Sequence, residues 1–288
     1  MMALVSTESR CKINPFLRVT GRRADNYHTL ETVFLPLRDP SDTLEADFDA
    51  APGIVLDVCG CKLPNGMENL VCRAAALYAE AAGVPPRWRF RLEKRIPVAS
   101  GLGGGSADAA AALRLLEERF GALGGEKLKK LALKLGADVP FFLDPRPAIA
   151  RGVGEELTPV SAQALPLVLV NAGFPVSSKW AYRRFDQCGT APSSGMLEGM
   201  SEGLKNGDLE QIAHNVRNDL APALWRKFPV LTLIRGELTA RGALAVEISG
   251  SGPTLFAVMP DVSSARRTAA ELAEKFPRWR SFATEVLQ

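Results

Sequence analysis

Apolar and polar positions alternate well enough over residues 12–20 to predict a strand, and the apolar-rich runs 32–37 and 53–58 read as two more in the first part of the chain. A fourth is predicted at 87–93, where R-W-R-F-R-L-E places charges on one face and apolar groups on the other. Helical spacing takes over at 69–82, with Asn69 as cap, Leu70, Ala74 and Leu77 on one face, and Gly83 as the stop. An alanine- and leucine-rich helix is predicted at 107–120, ending at Gly121, and a short amphipathic one at 126–135, closed by Gly136. Farther on, the pattern predicts a strand at 165–170, a loop at 171–178, and an irregular connection rich in Gly, Ser and Pro at 186–207. Helices follow at 209–217 and 230–241, strands at 245–252 and 254–259, a helix at 263–275 and an edge strand at 282–287. Strands and helices alternate irregularly, so the expected class is α+β rather than a doubly wound sheet. Around 145–158 the texture turns to Pro, Gly and charge, which suggests two domains, 1–158 and 159–288.

Composition narrows the function classes. The 35 Lys and Arg against 32 Asp and Glu give a net charge of +3, too balanced for a nucleic-acid-coating surface. The basic residues cluster once, at Arg87, Arg89, Arg91, Lys94 and Arg95, which reads as the solvated face of a strand, with an anion-binding wall as the alternative. Five cysteines lack the spacing of a disulfide framework or zinc site, so reduced thiols are expected. The N-terminal MMALVSTESR is too short and too polar for a signal-peptide apolar core, and no apolar run approaches the length of a membrane span. These features predict a soluble, cytoplasmic protein with neither nucleic acid nor membrane as partner.

The most informative segment is Pro97-Val-Ala-Ser-Gly-Leu-Gly-Gly-Gly-Ser106-Ala-Asp108. Glycine at four of five positions, 101, 103, 104 and 105, weakens helix and strand alike and leaves backbone N–H groups open to a ligand. The following helix adds unpaired N–H groups and its positive dipole end at Ser106 and Ala107, making an anion cradle suited to a polyphosphate. It is neither a Walker A loop nor the dinucleotide fingerprint. A flexible turn with Ser106 as an ordinary N-cap is the plainer alternative.

Three further features carry chemistry. Ser249-Gly-Ser-Gly-Pro253 lies between two strands and could line the same phosphates, or be a plain β-turn. Asp138, in Gly136-Ala-Asp-Val-Pro140, reads locally as an N-cap with Pro just inside the helix. Lys12 interrupts an apolar strand, where an unpartnered ammonium is costly, so it should meet a carboxylate or phosphate.

Together, Lys12-Ile-Asn14, the glycine loop and Ser249-Gly-Ser-Gly-Pro253 resemble the three motifs of the GHMP small-molecule kinases. Gly21-Arg-Arg-Ala-Asp-Asn-Tyr-His28, Asn69-Leu70, Leu135-Gly-Ala-Asp-Val-Pro140 and Arg151-Gly-Val-Gly-Glu155 narrow the likeness to the branch acting on cytidine diphosphate-linked methylerythritol. It runs from about residue 10 to residue 260. The resemblance implies a two-lobed α+β fold, with an N-terminal ribosomal-protein-S5-like domain and a C-terminal ferredoxin-like domain. It implies an ATP-dependent kinase, with ATP and Mg2+, that phosphorylates the 2-hydroxyl of that compound in the non-mevalonate route to isoprenoid precursors. Asp138 would then be the general base and Lys12 its orienting partner. Pro97, Val98, Ala99, Ser100, Gly101, Leu102, Gly103, Gly104, Gly105, Ser106 and Ala107 would hold the ATP phosphates. Ser106 would stand by the magnesium, and Asn69 and Lys94 around adenine and ribose. Asn14, Tyr27, His28, Ser178, Tyr182, Gly250, Ser251 and Gly252 would contact the acceptor, with Tyr27, His28 and Tyr182 around its cytosine.

The sequence departs from the family pattern at Asn26, where glycine is usual, at Pro15, where leucine is common, and at Ala107, where a second serine is frequent. Two rival readings remain at this stage. A homoserine or mevalonate kinase of the same family has an acceptor with no base for Tyr27-His28 to meet. A non-catalytic nucleotide-binding protein would need neither Lys12 nor Asp138.

Overall fold

In the computed structural model, which describes residues 4–188 and 195–287, strand β1 (Val5–Arg22) and strand β2 (His28–Asp47) are far longer than their alternation predicts. The predicted strand stops at Leu37, yet β2 continues through Arg38-Asp-Pro-Ser-Asp42 and pairs onward with β4 (Arg87–Glu93), from Thr43↔Glu93 to Asp47↔Arg89. Partner strands decided the outcome over local turn chemistry.

The chain packs into two compact units that interleave in sequence, and both draw on β1 and β2. The first comprises the residues up to 11, 41–96 and 103–145. In it β3 (Gly53–Cys59) runs parallel to β4, joined by helix α1 (Leu70–Ala82), as a parallel pair requires. Trp88, Phe90 and Leu92 of β4 are buried and Arg87, Arg89, Arg91 and Glu93 exposed, the solvated charge face that alternation predicts. Asn69 caps α1, accepting from Val71 N–H, and Gly83 ends it at φ 65. Its buried stripe is Val71, Ala74, Ala75 and Tyr78, however; Leu70 and Leu77 are only half-buried. Tyr78 sets that rotation, since its hydroxyl donates to Glu117 of helix α2 (Gly104–Phe120) while its ring packs beside Trp88 and Phe120. Helix α3 (Gly125–Leu135) follows, then a short 3₁₀ turn, Phe141–Leu143.

The second unit comprises 12–40, 97–102 and the chain beyond 146. Here β2 pairs with β5 (Ala148–Arg151) and β5 with β6 (Glu156–Pro159), while β1 meets β8 (Arg217–Asn218) in parallel at Phe16 and Leu17. That pairing starts just past Pro15, so the missing N–H is tolerated. A separate antiparallel sheet has the order β11-β7-β10-β9, made of β7 (Pro166–Asn171), β9 (Ala245–Ile248), β10 (Leu255–Val258) and β11 (Arg280–Glu285). With α8 (Pro229–Thr239) and α9 (Val262–Lys275) as connections it is the β-α-β-β-α-β ferredoxin-like arrangement. Leu231, Ile234, Leu238 and Leu272 close its core over Val168, Val170, Leu255 and Ala257.

Much of the stretch expected to be irregular is helical. Helix α4 (Ser178–Cys188) enters it, and α5 (Leu197–Asn206) precedes α6 (Leu209–Asn215); residues 189–194 lie outside the described residues. The glycines inside α5 hide its apolar stripe of Leu197, Met200 and Leu204, and they have a packing reason. A Cβ on Gly199 would stand 2.6 Å from the Asn215 amide, and one on Gly203 would stand 3.0 Å from Ile212. Helix α7 (Ala221–Lys227) was not predicted either. No helix among the described residues is long and apolar enough to cross a membrane.

Candidate active site

In the second unit the glycine loop is held by its carbonyls. Val176 N–H donates to Ala99 O, Thr254 N–H to Ser100 O, Ser249 Oγ to Gly101 O and Lys12 N–H to Leu102 O, at 3.0 to 3.1 Å. Four successive oxygens that would repel a phosphate are thereby occupied. Gly101 has φ 81, and a Cβ there would fall 2.1 Å from Ser249 O, so the loop lies directly on the 249–252 turn. Asn218 fastens that turn in place, its Nδ2 donating to Ile248 O at 2.7 Å and Gly250 O at 2.8 Å.

In the first unit the loop becomes α2, which begins at Gly104. Ala107 N–H makes the first intrahelical bond, to Gly103 O, so the open donors belong to Gly104, Gly105 and Ser106. Ser106 therefore lies inside the first turn and Gly103, at φ 75, is the cap, so the plainer alternative of Ser106 as N-cap does not hold. Glycine is required at 104, where a Cβ would meet Ile96 Cγ2 at 2.9 Å.

Lys94 does not follow the outward-facing charges of β4. Its ammonium is buried, donating to Asp42 and, at 2.6 Å, to Asp108 Oδ2. Asp108 Oδ1 takes a further bond from Ser9 Oγ, and Asp42 Oδ1 accepts from Arg95 and Ile96 N–H. Burial pulls the Lys94 ammonium down, but the two carboxylates outweigh it and hold it above its ordinary value. Burial pushes Asp108 up, to about 6, against the pull of Lys94 and with the push of Asp42. This triad stands under the first turn of α2: a Cβ on Gly104 would be 3.4 Å from Lys94 Nζ. Asn69, also expected near the nucleotide, uses its amide to cap α1 and to donate to Pro64 O.

Lys12 is 4% exposed in β1. Its Nζ donates to Asn14 Oδ1 at 2.6 Å and lies 5.0 Å from the Phe34 ring centroid. Asn14 Nδ2 donates to Thr32 Oγ1, Thr32 Oγ1 to Phe16 O, and Asn14 N–H to Ser249 Oγ. Gly250 lies against this chain, a Cβ there being 3.2 Å from Asn14 Oδ1 and 3.7 Å from Lys12 Nζ. The motif residues 12, 14 and 250 thus come together. Asp138, in the first unit, is half-buried in the turn between α3 and the 3₁₀ segment. That segment's cap is Pro140, so Asp138 is not the N-cap that local sequence suggested.

The remaining expected residues gather on α4. Ser178 Oγ is 2.8 Å from Ser251 Oγ. The His28 ring stacks on Tyr182 at 4.9 Å, packs edge-on to Phe185 at 6.0 Å, and its Nε2 meets Asp186 Oδ1 at 2.6 Å. Tyr27 is 64% exposed, on a turn where Asn26 adopts φ 68, the left-handed conformation asparagine tolerates in place of glycine.

Family models match two stretches of the chain, GHMP kinases N terminal domain over residues 69–144 and GHMP kinases C terminal over residues 200–278. The 4-diphosphocytidyl-2-C-methyl-D-erythritol kinase of Pelotomaculum thermopropionicum is 43% identical over 93% of each chain. A crystal structure of 4-(cytidine 5'-diphospho)-2C-methyl-D-erythritol kinase is 37% identical, covers 99% of this chain and 100% of its own, and superposes with a TM-score of 0.84. The chain belongs to the 4-diphosphocytidyl-2-C-methyl-D-erythritol kinase family. A homoserine kinase from Cytophaga hutchinsonii, at 19% identity and a TM-score of 0.73, shares the fold alone.

As a kinase of this family it is an ATP-dependent enzyme transferring a phosphoryl group to an alcohol. The first family model opens on Asn69 and includes the glycine loop and Asp138. Four residues escaped sequence reasoning: Asn218, Thr32, Asp42 and Asp186. All four act through partners far away in sequence, which no local pattern signals. Asp186 offered one faint cue, its place one helical turn beyond Tyr182.

Proposed function

We propose that this chain transfers the γ-phosphoryl group of ATP to the 2-hydroxyl of 4-diphosphocytidyl-2-C-methyl-D-erythritol, a step toward isoprenoid precursors by the non-mevalonate route. The observation that carries it is near-end-to-end identity of 43% with a kinase named for that acceptor. Asp138 is the general base: its carboxylate takes the hydroxyl proton as the oxygen bonds to the γ-phosphorus and the bond to the β–γ bridging oxygen breaks, releasing ADP. Lys12 orients the reacting groups and offsets developing negative charge; its rigid tether through Asn14 and Thr32 supports that role. Open N–H groups at Gly104, Gly105 and Ser106 receive the phosphates at the positive end of α2. Tyr27, His28 and Tyr182 take the cytosine, and Ser178, Ser251 and Gly252 contribute polar contacts to the acceptor.

Mg2+ fits this site only as a phosphate-borne ion. Among the described residues no cluster of three or more His, Cys, Asp or Glu side chains could hold a metal, and Asp42 and Asp108 are committed to Lys94. The Ser106 hydroxyl is the protein group that would hold it, beside the ATP oxygens. Bound there, it supplies charge neutralisation on the phosphates. The reading extends to a cytoplasmic setting and to family domains spanning 1–158 and 159–288, supported by family matches on either side of that boundary.

The test is ADP release by the purified chain with the cytidine diphosphate-linked acceptor, homoserine and mevalonate offered separately. Turnover with the first alone supports the proposal; turnover with homoserine or mevalonate and none with the first would leave the fold and overturn the substrate.

A further inference from the structure

Helix α4 presents Tyr182, Phe185 and Asp186 on one face, at the i, i+3, i+4 spacing of neighbours on a helix, and all three touch one imidazole, that of His28. The two rings pack its sides, and the carboxylate takes its Nε2 edge at 2.6 Å. Arg22 Nη1 stands 3.5 Å from the other oxygen, Asp186 Oδ2, and steadies the carboxylate. The His28 side chain is only 9% exposed, so its ring is set in place.

A carboxylate can only accept, so the proton of a neutral His28 ring sits on Nε2 and Nδ1 presents a lone pair. Among the described residues Nδ1 has no hydrogen-bond partner, and the buried side-chain atoms without one are Arg18 Nε and Ser281 Oγ. Nδ1 is therefore within reach of a ligand. Cytosine offers an exocyclic amine at the position where uracil offers a carbonyl. An acceptor at Nδ1 bonds the first and faces the second with lone pair against lone pair.

We propose that Asp186 is a specificity-determining residue: by holding the proton on His28 Nε2 it makes Nδ1 an acceptor and selects a pyrimidine bearing an exocyclic amine over one bearing a carbonyl. This rests on the reading that the phosphoryl acceptor is a cytidine compound bound at His28. Asp186 acts through His28 and need not touch the base itself, so it is a positioning residue. The same logic gives Asp186→Asn a defined effect. A carboxamide can donate to Nε2, which moves the ring proton to Nδ1 and turns that nitrogen into a donor suited to a carbonyl.

The experiment compares kcat/KM for the cytidine acceptor and its uridine counterpart in the wild type, Asp186→Asn and Asp186→Glu, with the KM for ATP as an internal control. In the wild type the cytidine compound should be strongly preferred. In Asp186→Asn the preference should fall about tenfold or more, the worth of one correctly paired hydrogen bond, with the KM for ATP unchanged. Asp186→Glu, which keeps the acceptor, should recover much of the preference. An Asp186→Asn enzyme with undiminished preference, or one that loses both acceptors equally, overturns the assignment of Asp186. A wild type that turns over neither nucleotide, or both alike, instead overturns the cytidine reading beneath it. Nitrogen-15 spectra of the His28 ring supply an independent measurement: protonation at Nε2 in the wild type is expected, and protonation at Nδ1 contradicts the proposal.

Discussion

Lys94 donates to Asp108 at 2.6 Å and to Asp42 at the same time, so one buried cation serves two buried carboxylates. Its side chain is 4% exposed, and both acids are as deeply buried. Asp42 belongs to the part of β2 beyond the predicted strand, and Asp108 opens the body of α2 just past the phosphate loop. The triad thus ties the strand, the end of β4 and the start of α2 within one packing unit, through a cluster whose parts favour the fold only together.

Removing the cation should be far worse than removing one acid. Lys94→Met leaves two buried carboxylates without their partner and is expected to cost about 3–5 kcal/mol in urea unfolding. Asp108→Asn keeps one carboxylate for Lys94 and should cost less. Equal costs for the two substitutions would contradict the triad.

The same site predicts a dependence on pH. Folding raises Asp108 to about 6 from an ordinary 3.8, so between those values the folded chain holds a proton that the unfolded chain has lost. The stability contributed by that proton is full below the unfolded value and is lost as pH rises through about 6. Unfolding of the wild type and Asp108→Asn across pH 4–7 checks this. The wild type should lose stability relative to the variant as pH rises, and a constant difference would speak against it.

Gly101→Ala should damage the loop without touching any charged group. Its φ of 81 and the 2.1 Å approach to Ser249 O leave no room for a methyl group. Backbone strain of about 1–2 kcal/mol plus the displaced 249–252 turn should appear as a lowered melting temperature and a raised KM for ATP. A variant with wild-type values for both would show that the loop does not depend on that contact.

Asn218→Ala is the corresponding test from below the turn. Deleting its amide leaves the Ile248 and Gly250 carbonyls and the Leu220 N–H without their partner. Thermal unfolding should register a loss of about 1–3 kcal/mol. If stability is unchanged, the turn does not rely on Asn218.

What the sequence disclosed was whatever depends on near neighbours. Asn69 and Gly83 bound α1 as capping chemistry dictates, and Trp88, Phe90 and Leu92 face inward because a strand alternates. The glycine loop was legible because four glycines in five positions favour neither helix nor strand. Long-range events were not legible. Lys94 sits at the end of a run of outward charges, and only the arrival of Asp42 and Asp108 turns it inward. Helix α5 was hidden by Gly199 and Gly203, which read as helix breakers until Asn215 and Ile212 take up the space beside them. Asp138 looked like a cap because Pro140 follows it, whereas the chain makes a turn and then a 3₁₀ segment.

The central claim is tested most directly by Asp138→Asn, which keeps the shape of the side chain and removes its basicity. Phosphorylation of 4-diphosphocytidyl-2-C-methyl-D-erythritol is measured by ADP release, and ATP binding to the same preparation by calorimetry. The account predicts turnover reduced about 100-fold or more, with ATP affinity close to that of the wild type. Turnover near the wild-type rate in Asp138→Asn would contradict it and remove Asp138 from the chemistry.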